Sequence, residues 1–175
     1  RDWSSDVCSS DLARLAGRPV HRFRHRDPAD LEAQLRRLLP PGGRPLVMAD
    51  GVTPVTGRIA PVRDYMGVLS RFSPATLHLD DAHGFGVLGA DGRGTWDDAG
   101  LWNHVNGGPP VDGVALTVCG TLAKAMGGYG VIPGTRAFLD AVRQSSHYFE
   151  GASAPAAPVA GCTLAALKLC VAHPE

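Results

Sequence analysis

The sequence contains no apolar run approaching the ~18 residues that a membrane-spanning helix needs, which excludes a simple transmembrane segment. It has no surplus of charge: 17 Lys+Arg stand against 17 Asp+Glu. Neutrality without a basic block argues against nucleic acid or an anionic membrane as a main partner. Its four cysteines, Cys8, Cys119, Cys162 and Cys170, form no C-x-x-C pair and join no histidine cluster at metal-ligand spacing. A reducing cytoplasm fits that pattern best. No G-x-x-x-x-G-K-[ST] run occurs, so the phosphate loop of a nucleotide-driven motor is missing. What is plentiful is turn chemistry. The chain has 22 Gly and 14 Pro among 175 residues, short of low-complexity disorder but enough to expect many tight turns. The length suits one domain with a real core.

The two ends read differently from the middle. Residues 1–12 (R-D-W-S-S-D-V-C-S-S-D-L) show no helical or strand period, no initiator Met and no signal-peptide core. The run from Asp2 to Leu12 matches a widely used sequencing adapter translated in one frame, so residues 1–12 are expected to be a non-native leader, with a natural Ser/Asp-rich disordered leader as the alternative. The last residues follow an Ala/Leu-rich helical run at 157–172. The expected organisation is therefore residues 13–175 as a partial domain, truncated at both ends.

Between the ends, residues 19–24 (P-V-H-R-F-R) read as a short strand. Asp27 then offers a helix cap with Pro28 at the first helical position. Leu31, Leu35, Leu38 and Leu39 recur on one helical face. Residues 45–49 (P-L-V-M-A) form a continuous apolar run, as in a strand buried on both faces. Residues 61–72 read as a helix burying Val62, Tyr65, Met66 and Leu69. Residues 75–79 and 113–118 are further strands, and 129–133 is a candidate. Residues 135–146 form a helix with Phe138, Leu139 and Val142 on its buried face. Strands alternating with helices imply an α/β fold of three layers with a mostly parallel sheet, whose ligands bind where strands end.

Two clusters sit at such ends. Asp80-Asp81-Ala82-His83-Gly84 directly follows the strand 75–79. Asp80 and His83 are spaced so that both can reach one small ligand, although such a pair also serves as a plain turn cap. An Asp-x-Ala-His box also resembles a helicase nucleotide motif, but the phosphate loop it requires is not in the sequence. The second cluster runs from Thr117 to Gly130 and contains Thr121 and Lys124. A lysine among small residues past a buried strand is expected to lose its charge by desolvation and to attack a carbonyl. The alternative is a surface lysine in a glycine-rich loop. Together the clusters suit pyridoxal 5′-phosphate (PLP): an acid to keep the pyridine nitrogen protonated and an amine to hold the aldehyde.

Three motifs in order carry a family resemblance. D-D-A-H-G-F-G-V-L-G-A-D-G-R-G (80–94) is similar to D-E-A-H-s-x-G-x-x-G-x-x-G-R-G. T-L-A-K-A-M-G (121–127) looks like T-[LF]-[SG]-K-[AG]-x-G. D-G-V-T-P-V-T-G-R-I-A-P-V (50–62) looks like a worn E-[SG]-x-x-S-M-D-G-D-x-A-P-L. Residues 20–172 thus resemble the middle of the large domain of fold-type I PLP enzymes. The resemblance is to the α-oxoamine synthases, the group of 8-amino-7-oxononanoate synthase, glycine C-acetyltransferase and serine palmitoyltransferase. It implies that Asp80 binds the pyridine nitrogen, His83 contacts the 3′-oxygen, Thr121 binds the phosphate and Lys124 forms the Schiff base, with Lys124 and His83 catalytic. It implies a transferase that condenses an amino acid with an acyl-CoA and releases CO2, working as a homodimer in biosynthesis. Another fold-type I reaction, such as a class I/II aminotransferase, and a non-catalytic relative are the alternatives. The resemblance also implies that further phosphate-binding, ring-stacking and carboxylate-binding parts are needed, so the 175-residue chain alone is expected to be inactive.

Several positions depart from the family pattern. Its serine falls on Pro54, its Met-Asp pair on Val55-Thr56 and its second acid on Arg58. A hydroxyl of the segment 149–155 falls on Ala152. An insert is expected near 103–110. His78 is expected to be a satisfied histidine, and Cys119, Cys162 and Cys170 small core residues. Trp96 and Trp102 should pack the long connection, with Arg93 paired to Asp91 or Asp97.

Overall fold

The computed structural model describes residues 13–146 and 153–173. The expectations on residues 1–12, on Cys8 and on Ala152 lie outside them.

Helix α1 (Pro28–Leu38) begins where the sequence supplies a cap: the Asp27 carboxylate accepts from Asp30 N at 2.9 Å, with Pro28 following. It buries Leu31 and packs on α2 (Val62–Leu69). The segment 19–24 is not a strand. Its Arg24 N–H goes to the Asp30 carboxylate at 2.6 Å, and Phe23 sits edge-on to Tyr65 with ring centroids 5.6 Å apart. The run serves as lead-in to the helix, because a local acid claims the backbone donor that a ladder would need.

Strands β1 (Leu46–Asp50), β2 (Ala75–Asp80) and β3 (Val114–Thr121) pair in parallel. A two-residue β4 (Gly130–Val131) adds to β3 antiparallel, giving the order β1-β2-β3-β4. Sheet order that follows chain order, with crossovers of one hand, places both connections on the same side. The burial pattern agrees. Val47, Leu77, Leu79, Val114, Leu116 and Val118 are buried against Tyr65, Met66, Leu69 and Trp96. On the opposite face Met48, His78, Asp80, Thr117 and Cys119 alternate with them and are half-buried. The mostly parallel α/β sheet is as expected, and so are the tryptophans. Trp96, on the short helix α3 (Thr95–Asp98), is fully enclosed and donates to Thr117 O at 3.2 Å. Trp102 lies under the Arg93 guanidinium, which pairs with both Asp91 and Asp97.

The segment 103–110, expected as an insert, is built into the sheet. Val105 bridges to Leu116, and Asn106 takes the place of a neighbouring strand. Its Nδ2 donates to Val118 O at 2.8 Å and to Pro133 O at 2.5 Å, and its Oδ1 accepts from Val118 N at 3.0 Å. Asparagine tolerates the left-handed φ of 47° that this geometry requires.

Two expectations of burial are corrected. Helix α5 (Arg136–Ser145) has Phe138, Leu139 and Val142 only half-buried. Cys162 and Cys170 are exposed, not core, because they ride on α6 (Ala157–Ala172), a helix apolar on all sides that the described residues leave largely uncovered.

Asn106→Ala orphans both polar groups of Val118 in a dry site and should lower unfolding free energy by about 2–4 kcal/mol. The exposed Asn103→Ala should stay within about 0.5 kcal/mol. Urea denaturation of the two variants side by side makes the comparison.

Candidate active site at the strand ends

The parallel register brings the carboxyl ends of the strands level. Asp50 lies beside Asp80, and Asp80 beside Cys119. Beyond Cys119, β3 runs on to Thr121 and turns into α4 (Ala123–Met126), a single helical turn that carries Lys124. Gly127 closes that turn at φ 63°, a left-handed conformation that glycine adopts without strain. The loop after β2 returns beneath α4, where a methyl at Gly86 would press on Ala125.

This arrangement joins two of the sequence-derived residues directly. Lys124 Nζ lies 2.7 Å from His83 Nε2, across 41 positions of chain. One of the two nitrogens donates and the other accepts, the roles following the imidazole tautomer. Asp80 stands at the neighbouring strand end with Oδ1 accepting from Ala82 N at 3.1 Å, its one side-chain hydrogen bond among the described residues. Thr121 shares the Asp80 face by strand alternation, and its Oγ1 accepts from Ala123 N at 3.0 Å. One expectation is corrected: the Lys124 amine is exposed, not buried. Its neighbours Ala123 and Ala125 in the α4 turn are exposed with it.

Sequence reasoning passed over two features here. The first is a polar chain on the Asp80 face. His78 Nδ1 meets Thr117 Oγ1 at 2.9 Å, and His78 Nε2 meets Cys119 Sγ at 3.4 Å. His78 is thus satisfied, as expected, while Cys119 is half-buried and polar-bonded, not core. Burial holds the His78 imidazole below its ordinary pKa, against the pull of Asp80. Burial also pushes the Cys119 thiol up to about 11, helped by Asp80. The second is Asp81, fully enclosed on the opposite side of the sheet. Continuing the period-2 burial pattern of β2 one residue further would have found it.

The donor set fits PLP chemically. It offers a carboxylate for a pyridine N–H, an amine for an aldehyde, an imidazole beside that amine and a hydroxyl at the same edge.

Cys119 should resist alkylation. With its pKa near 11, only roughly one thiol in a thousand is ionised at about pH 8, so the exposed Cys162 and Cys170 should react first by peptide mass spectrometry. His78 also sets a pH dependence. Its folded pKa lies below the usual 6.5, so under that pH the unfolded chain takes up a proton that the folded chain refuses. Stability should fall as pH drops from 6.5 towards the folded value. His78→Gln should remove that part of the loss, as read by denaturation at about pH 7.5 and about pH 5.5.

Known proteins resemble this chain in sequence and in fold. The 8-amino-7-oxononanoate synthase of Nitrosococcus oceani is 39% identical over 162 residues, covering 91% of this chain and 39% of that protein. A serine palmitoyltransferase variant from S. paucimobilis with a bound PLP–myriocin aldimine superposes with a TM-score of 0.69 at 32% identity, over 89% of this chain and 37% of that one. A serine palmitoyltransferase structure with a PLP internal aldimine reaches 0.72 at 32% identity, over 93% and 38%. The chain therefore spans about two fifths of the length of the relatives it matches. Residues 9–169 match the family described as aminotransferase class I and II, and with the strand-end constellation in place we conclude that the chain belongs to that family.

Proposed function

We propose that this chain supplies the cofactor-holding segment of a PLP-dependent acyltransferase that joins an amino acid to an acyl-CoA. The new bond runs from the amino acid's α-carbon to the acyl carbonyl; CoA leaves as the thiol and the carboxyl group as CO2. The observation that carries the reading is the 2.7 Å pair of Lys124 Nζ and His83 Nε2 beside the Asp80 strand end. The relatives support it, since those reported above are named as synthases or palmitoyltransferases and two structures bear PLP.

On this reading Lys124 would hold the aldehyde carbon, Asp80 the pyridine nitrogen, His83 the 3′-oxygen and Thr121 the phosphate. Bound PLP supplies an electron sink, which lets an amino acid give up its α-proton or its carboxyl group. Asp80 keeps a proton on the ring nitrogen through a charge-assisted hydrogen bond. Lys124 Nζ moves the α-proton when its amine is free, and His83 keeps that amine oriented by sharing a proton with it. Residues 13–175 are read as part of the large domain of a cytoplasmic homodimer. The exposed apolar residues Leu164, Leu169 and Val171 of α6 support burial against further protein. Among the described residues no helix is long and apolar enough to cross a membrane.

Full-length protein mixed with PLP should show a visible absorption band that disappears in Lys124→Ala. Turnover of Lys124→Ala and Asp80→Asn should drop at least about 100-fold. Thiol release from acyl-CoA, dependent on an amino acid, supports acyl transfer. Amino transfer to a keto acid without thiol release would replace this reading with an aminotransferase, and absence of the band would remove the catalytic reading altogether.

A further inference from the structure

Asp81 has no part in the chemistry above, yet it is the more constrained of the two consecutive acids. Its side chain is fully buried, on the face opposite Asp80. Oδ2 accepts from Thr95 N at 2.5 Å and Oδ1 from Thr95 Oγ1 at 2.8 Å. Backbone from three separate segments closes over the carboxylate. A methyl added at Gly51 or Gly84 would fall on Oδ1, and one at Gly94 on Oδ2. Gly51 follows β1, Gly84 belongs to the turn carrying His83, and Gly94 closes the loop that returns under α4.

The main chain of Asp81 is tied as firmly. Its N–H donates to Cys119 O at 2.8 Å, and its carbonyl accepts from Gly84 N at 3.0 Å and Phe85 N at 3.1 Å. Gly51 N donates to Asp80 O at 2.8 Å. Asp81 thus bonds to β3, the His83 turn and the end of the 81–95 loop, and packs against Gly51 beside β1, which is itself bonded to Asp80. Of these ties only the carboxylate reaches Thr95, fourteen positions away.

We infer that Asp81 is a positioning residue for the proposed reaction: the Asp81–Thr95 clasp fixes the directions in which Asp80 and His83 point towards cofactor and Lys124. The inference rests on the PLP reading for its consequence, and on the packing alone for the clasp. The physical argument is one of room and partners. With glycine backbone against both oxygens, the carboxylate cannot rotate, and Thr95 is its only donor among the described residues. Burial pushes its pKa above the ordinary range, against the two Thr95 bonds, so loss of either bond leaves a polar group that water cannot reach. The 81–95 loop should then loosen at its Thr95 end, and with it the carboxylate against which Gly84, next to His83, is packed.

The test uses full-length protein with three substitutions. Asp81→Asn keeps shape but turns one acceptor towards a donor. Thr95→Val keeps volume but removes the hydroxyl, and Thr95→Ser keeps the hydroxyl. In Asp81→Asn and Thr95→Val, amide hydrogen exchange across 82–95 without PLP should speed up about tenfold relative to the other core amides. PLP dissociation should quicken by a similar factor, and the pH midpoint of the visible band should move. Thr95→Ser should restore both PLP readouts to within about twofold. A lowered melting temperature with unchanged PLP dissociation and an unmoved pH midpoint would overturn the inference, since a purely structural role produces that result. If Asp81→Asn does not fold, the Thr95→Val and Thr95→Ser pair decides by the same readouts. Failure of wild-type protein to take up PLP would sink the PLP reading and the positioning role with it, while exchange across 82–95 would still report whether the clasp exists.

Discussion

Two consecutive carboxylates at the end of β2 point to opposite faces of the sheet, and the site depends on that division. Strand alternation turns Asp80 to the half-buried polar face and Asp81 to the dry side behind it. A slip of one residue in the β2 register would exchange them, burying Asp80 and exposing the acid bonded to Thr95. The register is protected by what flanks it. Leu77 and Leu79, both fully buried, share the dry face with Asp81, so any slip also drives leucines out of the core.

The same alternation explains the uneven chemistry of the two faces. Sequential strand order sends both crossovers to the Leu77 side, where helices α2 and α3 complete an apolar layer. The other side keeps His78, Thr117, Cys119 and Asp80 together, partly open to water. There burial favours the neutral form of both His78 and Cys119. At the sheet's edge the Lys124 amine is exposed and oriented by His83, so geometry and not desolvation sets it apart from an ordinary surface lysine.

Much of this was legible in the chain. The strands around β1, β2 and β3, the helices at 28–38 and 157–172, and the Asp27 cap follow from apolar period and capping chemistry, which are local. The motifs around Asp80, His83, Thr121 and Lys124 were legible too, because short strand-end turns need particular residues at fixed spacings. The strand expected at 19–24 failed because Asp30, several residues ahead, takes the backbone donor of Arg24. The burial expected for Cys162 and Cys170 failed because composition reports what a helix would gain from being covered, not whether anything covers it.

By itself the sequence determined which residues could do chemistry and on which strand ends they lie, since alternation, caps and turns are written in neighbouring residues. Only the tertiary structure decided which of them meet. The His83–Lys124 pair, the Asn106 patch on β3 and the Asp81–Thr95 clasp join positions 12 to 41 residues apart. Such contacts come from parallel pairing and crossover direction, which act through the whole sheet and leave no periodic mark on any one segment.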